Sequence, residues 1–376
     1  TAADVFTFEI AEGETVIATV QNGADGTIAY PTIEYTLSDV GEHTYIISET
    51  SANGDGITVD TNAYIVTVTV EDNGNGTLKV TAPENADDLD FVNLYEAKGS
   101  IALAGTKTLV GRELAAGEFS FQLVGADGNV IETVKNGADG KFAFTTLTYE
   151  LADAGKTFTY TVKEVNDGKS GITYDDTTYT VTVEVEDAGD GSLTVTATDN
   201  AKALDFVNSY AAEGEITFAG QKTIEGRALT ADDVFTFEIK EDETVIATVN
   251  NDATGKIAYP TIEYTLADVG THTYTVKETS TDGNGITVDT NTYTVTVEVT
   301  DNGDGKLTVT ASDNANALNF TNTYAAEGET TFAGTKTIEG RELTDTDVFT
   351  FEVKEGETVI ATVNNDATGK IAYPTI

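Results

Sequence analysis

"FVNSY", residues 206–210, returns as "FVNLY" at 91–95 and "FTNTY" at 320–324, so one asparagine recurs as Asn93, Asn208 and Asn322. In an extended strand, alternate side chains share a face, which sets this amide among the Phe and Tyr on either side of it. Working outward, other stretches recur at much the same period of 114 or 115 residues. "DVFTFEI" (4–10) returns at 233–239 and as "DVFTFEV" at 347–353, with "GEFSFQL" (117–123) as a divergent copy. "KTLVGREL" (107–114) returns as "KTIEGRAL" (222–229) and "KTIEGREL" (336–343). A period this long is the size of a domain and far exceeds a solenoid unit. Each copy reads as seven to nine short alternating strands separated by Gly-Asp-Asn turns, with no sustained helical periodicity. That pattern predicts an all-β chain of tandem Ig-like antiparallel β-sandwiches.

The expected organisation is a partial repeat at 1–97 lacking its first strand, complete repeats at 98–211 and 212–325, and the opening part of another at 326–376. The junctions "YEAKGS" and "YAAEGE" carry no Pro- or Ser-rich spacer, which predicts an elongated, semi-rigid rod over a flexible necklace. The chain opens and closes within repeats, so a segment of a longer protein is expected.

With 64 acidic against 20 basic residues and a net charge of −44, phosphate recognition through a basic face is excluded. A solvated, self-repelling surface is preferred to dedicated cation binding. There is no cysteine, hence no disulfide, thiolate metal site or cysteine nucleophile. No stretch is long and apolar enough for a membrane-spanning helix, so no membrane insertion is expected from this segment.

Three inward registers are each apolar but for one residue. The opening strand reads Ile216, Phe218, Gly220, Lys222, Ile224; a middle strand reads Tyr274, Val276, Glu278; the closing strand reads Leu318, Phe320, Asn322, Tyr324. The preceding copy places Lys107, Glu164 and Asn208 in the same way; the first copy retains Glu49 and Asn93, and the last retains Lys336. Buried polar groups need partners, so each lysine, glutamate and asparagine should meet. Burial disfavours charge, lowering a lysine pKa and raising that of a glutamate. A neutral amine can then attack the carboxamide, with the glutamate donating to the asparagine carbonyl and shuttling protons, so that ammonia leaves and an amide joins the side chains. From parity alone, a buried Lys–Glu salt bridge with a bystander Asn stands level with this cross-link.

G-x-K-T-[LI] at 105–109, 220–224 and 334–338, Y-T-V-K-E at 160–164 and 274–278, and F-x-N-x-Y closing each copy form an ordered set. In that set the chain resembles the isopeptide-linkage domains of Gram-positive pilins and adhesins, the streptococcal major-pilin type related to collagen-adhesin B-type modules. The resemblance implies Lys107–Asn208 and Lys222–Asn322 bonds assisted by Glu164 and Glu278. Asn93 with Glu49 would need a lysine before Thr1, and Lys336 a glutamate and asparagine beyond Ile376. The first copy departs in reading "YIISE" for "YTVKE" but keeps its glutamate.

The resemblance further implies an extracellular bacterial fibre, pilus shaft or adhesin stalk at the cell surface or wall. Its partners would be neighbouring repeats or subunits, and any host ligand would be met by a tip domain not present here. An adhesin whose repeats bind a matrix or glycan ligand is the alternative, which the near-duplicate loops disfavour. Neither "YPK" nor "LPxTG" occurs, so a sortase-polymerised pilus and a single-chain stalk both stay open. No cofactor, metal or external substrate is expected, only a single-turnover self-reaction.

"DNGNG" (72–76), "DAGDG" (187–191) and "DNGDG" (301–305) resemble acidic calcium loops but lack the later bidentate glutamate, so hairpin turns are preferred. "NGADG" and "NDATG" are read as turns. His43 and His272, with Lys156 near the equivalent place, read as surface residues, and Arg112, Arg227 and Arg341 as surface salt bridges or turn anchors.

Overall fold

The structure, a computed structural model, describes residues 4–376, so residues 1–3 of the expected first repeat lie outside it. Among the described residues regular structure is strand, with short 3₁₀ turns and no α-helix. The chain divides into two compact units, the first ending at Ala211 and the second running Ala212–Ile376.

In the 98–211 repeat, alternating Val, Thr and aromatic residues build two main sheets. The larger is antiparallel, in the order Val130–Lys135, Ser120–Gly125, Thr157–Glu164, Thr178–Asp187, Leu193–Ala197. The smaller runs Lys141–Ala143, Ala104–Val110, Leu204–Tyr210, Ile172–Thr173. Their inner faces close on Leu103, Phe121, Leu123, Val162, Val181, Val183, Leu204 and Phe206, all fully buried. The Phe121 and Phe206 rings, one from each sheet, lie 5.2 Å apart. The 212–325 repeat copies this, with sheets centred on Gly270–Glu278 and on Gly220–Glu225 beside Phe320–Tyr324.

Two features differ from the expectation. The opening stretch at 216–224 is not one strand. Glu213–Thr217 forms a separate two-stranded sheet with Thr261–Thr265, and after Phe218 and Ala219 the chain re-enters as Gly220–Glu225 in the smaller main sheet. The pairing is also not wholly antiparallel, because the lysine-bearing strand and the closing strand lie side by side in parallel. Lys107 stands opposite Phe206 and Leu109 opposite Asn208; Lys222 is opposite Phe320 and Ile224 opposite Asn322. These strands lie near the two ends of a repeat, so no tight turn forces them antiparallel.

That parallel pair requires a close approach. A Cβ on Gly105 or Gly220 would overlap the carbonyl oxygen of Leu204 or Leu318 on the neighbouring strand. The glycine of G-x-K-T is therefore the point at which the lysine strand seats against the asparagine strand.

Residues 4–97 form the larger sheet and a two-stranded remnant, Ile57–Thr58 with Leu94–Tyr95. Residues 326–376 form two antiparallel pairs, Ala333–Thr335 with Lys370–Ala372 and, between them in sequence, the hairpin Thr350–Glu355 with Thr358–Asn364.

Candidate functional site

Lys222 and Asn322 come from the smaller sheet and Glu278 from the larger, so the three meet across the sandwich. Glu278 and Asn322 each lie two residues from a buried core residue, Val276 and Phe320, and Lys222 stands opposite Phe320; the lysine and glutamate side chains are fully excluded from solvent. Lys222 Nζ donates to Glu278 Oε2 at 2.8 Å and also to Asn322 Oδ1. Asn322 Nδ2 donates to Glu278 Oε1 at 2.9 Å. One carboxyl group thus spans the lysine amine and the amide nitrogen.

The 98–211 repeat builds the same arrangement. Lys107 Nζ donates to Glu164 Oε2 at 2.9 Å, and Asn208 Nδ2 to Glu164 Oε1 at 2.9 Å. Burial pushes the Lys107 ammonium below its usual value and the Glu164 carboxyl above its own, in each case against the pull of the partner. Burial likewise lowers Lys222.

In the first repeat Asn93 Nδ2 donates to Glu49 Oε1 at 2.9 Å. Glu49 Oε2, the counterpart of the oxygen that takes lysine elsewhere, is buried with no hydrogen-bond partner among the described residues. It borders a cavity of about 250 Å³ lined by Phe6, Phe8, Asn22, Phe91 and Asn93 among others. Lys336 stands on the opening stretch of the last repeat, its Nζ 4.7 Å from the Phe349 ring centroid.

One role differs from the sequence expectation. The glutamate faces the amide nitrogen of asparagine and not the carbonyl, because Oδ1 already accepts a backbone N–H from a loop. The donors are Asp60, Asp175 and Asp289, each at 2.7 Å. A carboxyl so placed can take a proton from Nζ through one oxygen and return one to the departing nitrogen through the other. Chemically, the arrangement can support a step in which the lysine lone pair forms a new C–N bond as the old one breaks and the nitrogen leaves as ammonia.

Sequence reasoning missed a second buried amide in each copy. Asn251 accepts the Phe235 N–H at 2.8 Å and donates to the carbonyls of Asp233 and Asp252 at 2.8 and 3.0 Å. Asn136 and Asn365 do the same for Phe119 and Phe349. Each opens a stretch read as a plain turn, and its recurrence at the period was the available signal. The phenylalanine it anchors covers the lysine, with Nζ 4.9 Å from the ring centroid of Phe119 or Phe235. Phe206 and Tyr210, flanking Asn208, are buried as well, but the ring on the amine comes from the following strand region.

The arginines act as turn anchors. Arg227 grips both oxygens of Asp233 at 2.7 and 2.8 Å and lies on the Tyr324 ring, holding the segment after the lysine strand to the end of the asparagine strand. The histidines are not free surface residues. His272 is four-fifths buried between Glu241 Oε1 at 2.6 Å and the Asp268 carbonyl at 2.7 Å, and His43 is held likewise by Glu12 and Asp39. Their counterpart in the 98–211 repeat is Phe158, not Lys156; it packs on Tyr149 as His272 does on Tyr264.

The acidic turns join antiparallel strands, and their carboxylates are engaged: Asp187 Oδ1 accepts the Gly189 N–H within its own turn and the hydroxyl of Tyr95 from the preceding repeat. No cluster of ligating residues able to hold a metal occurs among the described residues.

A repeated two-sheet domain whose lysine-bearing strand lies beside its closing strand, with a buried Lys–Glu–Asn triangle between the sheets, defines a class of tandem all-β repeat proteins. Within it, the chain belongs to the Spy0128-like isopeptide-containing domain family, whose model matches residues 1–96, 103–211 and 218–325. No curated protein sequence matches the chain. Among solved structures it is similar to the major pilin T-13 of Streptococcus pyogenes at 16% identity, covering 61% of this chain and 99% of the pilin with a TM-score of 0.23. It is also similar to the B1B2 repeats of the Staphylococcus aureus collagen-binding protein at 17% identity, covering 85% and 70% of the two chains with a TM-score of 0.23. The Bacillus anthracis TIE protein aligns at 14% identity over 100% of this chain and 61% of its own, with a TM-score of 0.25. At these identities and scores the three are likenesses only.

Proposed function

We propose that the chain is the load-bearing repeat region of a bacterial cell-surface fibre, pilus shaft or adhesin stalk. In this reading its complete repeats close themselves with Lys107–Asn208 and Lys222–Asn322 isopeptide bonds. The observation that carries it is the buried triangle, built twice with one carboxyl group bridging amine and amide. A salt bridge alone does not require the asparagine, which an apolar residue could replace at lower cost in so dry a site. Membership of an isopeptide-containing family supports the same reading. The chemistry is a single turnover on the chain itself, with the folded strands supplying the effective concentration that an enzyme would otherwise provide. The partners are other repeats and subunits of the fibre, outside the cell.

Each bond joins residues about one hundred positions apart, 222 and 322 in the second case. Closing such a loop stabilises by roughly 4–5 kcal/mol on the entropy argument used for disulfides. The mechanical consequence is larger. Tension applied through the ends of a repeat crosses directly from the lysine strand to the asparagine strand, and the residues between carry none of it. Single-molecule pulling tests this. A repeat without its bond should release roughly 330–360 Å of chain on unfolding, and a bonded repeat almost none. Full-length release from both complete repeats of the unmutated chain would contradict the proposal.

A further inference from the structure

The loop that follows the short Ile286–Thr287 strand returns to the asparagine in a way the Lys–Glu–Asn triangle does not explain. The backbone N–H of Asp289 lies 2.7 Å from Asn322 Oδ1. The Asp289 carboxylate fixes that N–H from two sides, Oδ2 accepting the Thr321 N–H at 2.7 Å and Oδ1 the Asn291 N–H at 2.8 Å. Thr321 immediately precedes Asn322, so the donor is tied to the strand that carries its acceptor. The 98–211 repeat has the same set: Asp175 N–H to Asn208 Oδ1 at 2.7 Å, with its carboxylate on Val207 and Thr177 at 2.8 and 2.9 Å. The first repeat keeps it without a lysine: Asp60 N–H to Asn93 Oδ1 at 2.7 Å, with its carboxylate on Val92 and Asn62 at 2.8 Å each. The arrangement is therefore built by the loop and the asparagine strand alone, before any amine is present.

Resting on the cross-link reading, we propose that the backbone N–H groups of Asp175 and Asp289 are the oxyanion donors of bond formation and that their carboxylates are positioning groups. When the neutral lysine nitrogen adds to the asparagine carbonyl carbon, the C=O electron pair moves onto Oδ1. The N–H at 2.7 Å meets that charge in a water-excluded site. The glutamate carries protons on the opposite side of the same carbon, from Nζ to Nδ2. As the tetrahedral centre collapses, the pair returns from Oδ1, the C–Nδ2 bond breaks and ammonia leaves, so charge and atoms balance. The glutamate is thereby freed from polarising the carbonyl, which fits its place on the amide nitrogen.

The direct test removes one hydrogen-bond donor and keeps the side chain. The 376-residue chain is made by cell-free synthesis with the α-hydroxy analogue of aspartate at position 289, so that an ester oxygen replaces the N–H. Timed acid-quenched samples are digested and the two cross-linked peptides quantified. Bonding at Lys222–Asn322 should slow on the order of 100-fold, while Lys107–Asn208 in the same molecules proceeds at the natural rate. Asp289→Ala should slow the same site, and Asp289→Asn, which keeps one carbonyl acceptor, should restore part of the rate. Equal rates at position 222 with and without the ester, in chains that do bond, would overturn the oxyanion assignment and leave the cross-link reading standing. No cross-linked peptide at either site of the natural chain would overturn both.

Discussion

A lysine amine attacks only when neutral, and a carboxyl group shuttles protons only when it can hold one. On the proposed reading the buried Lys107–Glu164 pair meets both needs by passing one proton from amine to carboxylate, a transfer that burial of the two groups favours. The ion pair and the neutral pair hold the same number of protons, so their ratio does not depend on pH. Bond formation in freshly synthesised chain should therefore be level through neutrality. It should fall in acid, where both groups are protonated, and in alkali, where the shuttle proton is gone. Timed intact-mass measurements across buffers check this; a rate rising steadily into alkali would point to an unassisted amine. The histidines supply a second test. Hydrogen bonds to Asp268 and Glu241 raise His272 above the ordinary value of 6.5. A raised folded value gives stability that is complete below the ordinary pKa and is lost as pH rises through the folded one. The melting temperature of the natural chain, relative to a His43→Phe/His272→Phe variant, should thus decline from mildly acid to mildly alkaline buffer. A difference unchanged by pH would contradict it.

At the scale of the element, the decisive contact is the parallel seating of the lysine strand on the asparagine strand. Gly220→Ala would push a methyl group into the Leu318 carbonyl. The expected cost is about 1–3 kcal/mol, with slower bonding at Lys222 and none of this at Lys107, read by melting and by cross-linked peptide yield. Equal yields at both sites would sink the seating argument. This scale also separates what was legible in the sequence from what was not. Parity exposed Lys222, Glu278 and Asn322, because in a strand a polar residue on an apolar register has only one place to point. It could not expose Asp289, which meets Asn322 through its backbone N–H, or Asn251, whose side chain pairs with a backbone N–H and turn carbonyls, because alternation carries no information about such contacts. Nor could it separate parallel from antiparallel pairing, since both give the same alternation. His272 was misread because Glu241 and the Asp268 carbonyl come from other segments of the repeat.

At the scale of the molecule, the same bead is written repeatedly with few changes, and the changes show which parts the fold tolerates. Phe158 replaces histidine at one position and Glu118 replaces aspartate as the arginine's partner, while the glutamate, asparagine and loop aspartate persist in the first repeat and in both complete ones. A net charge of −44 keeps neighbouring chains apart, and a chain without cysteine would gain a closure that no reductant opens. All of this depends on the bonds being made, and the intact mass of the purified 376-residue chain decides that. The intact mass should be short by two ammonia molecules, and short by one after Glu278→Ala. A full, unmodified mass for the natural chain would contradict this and reduce each triangle to a buried salt bridge.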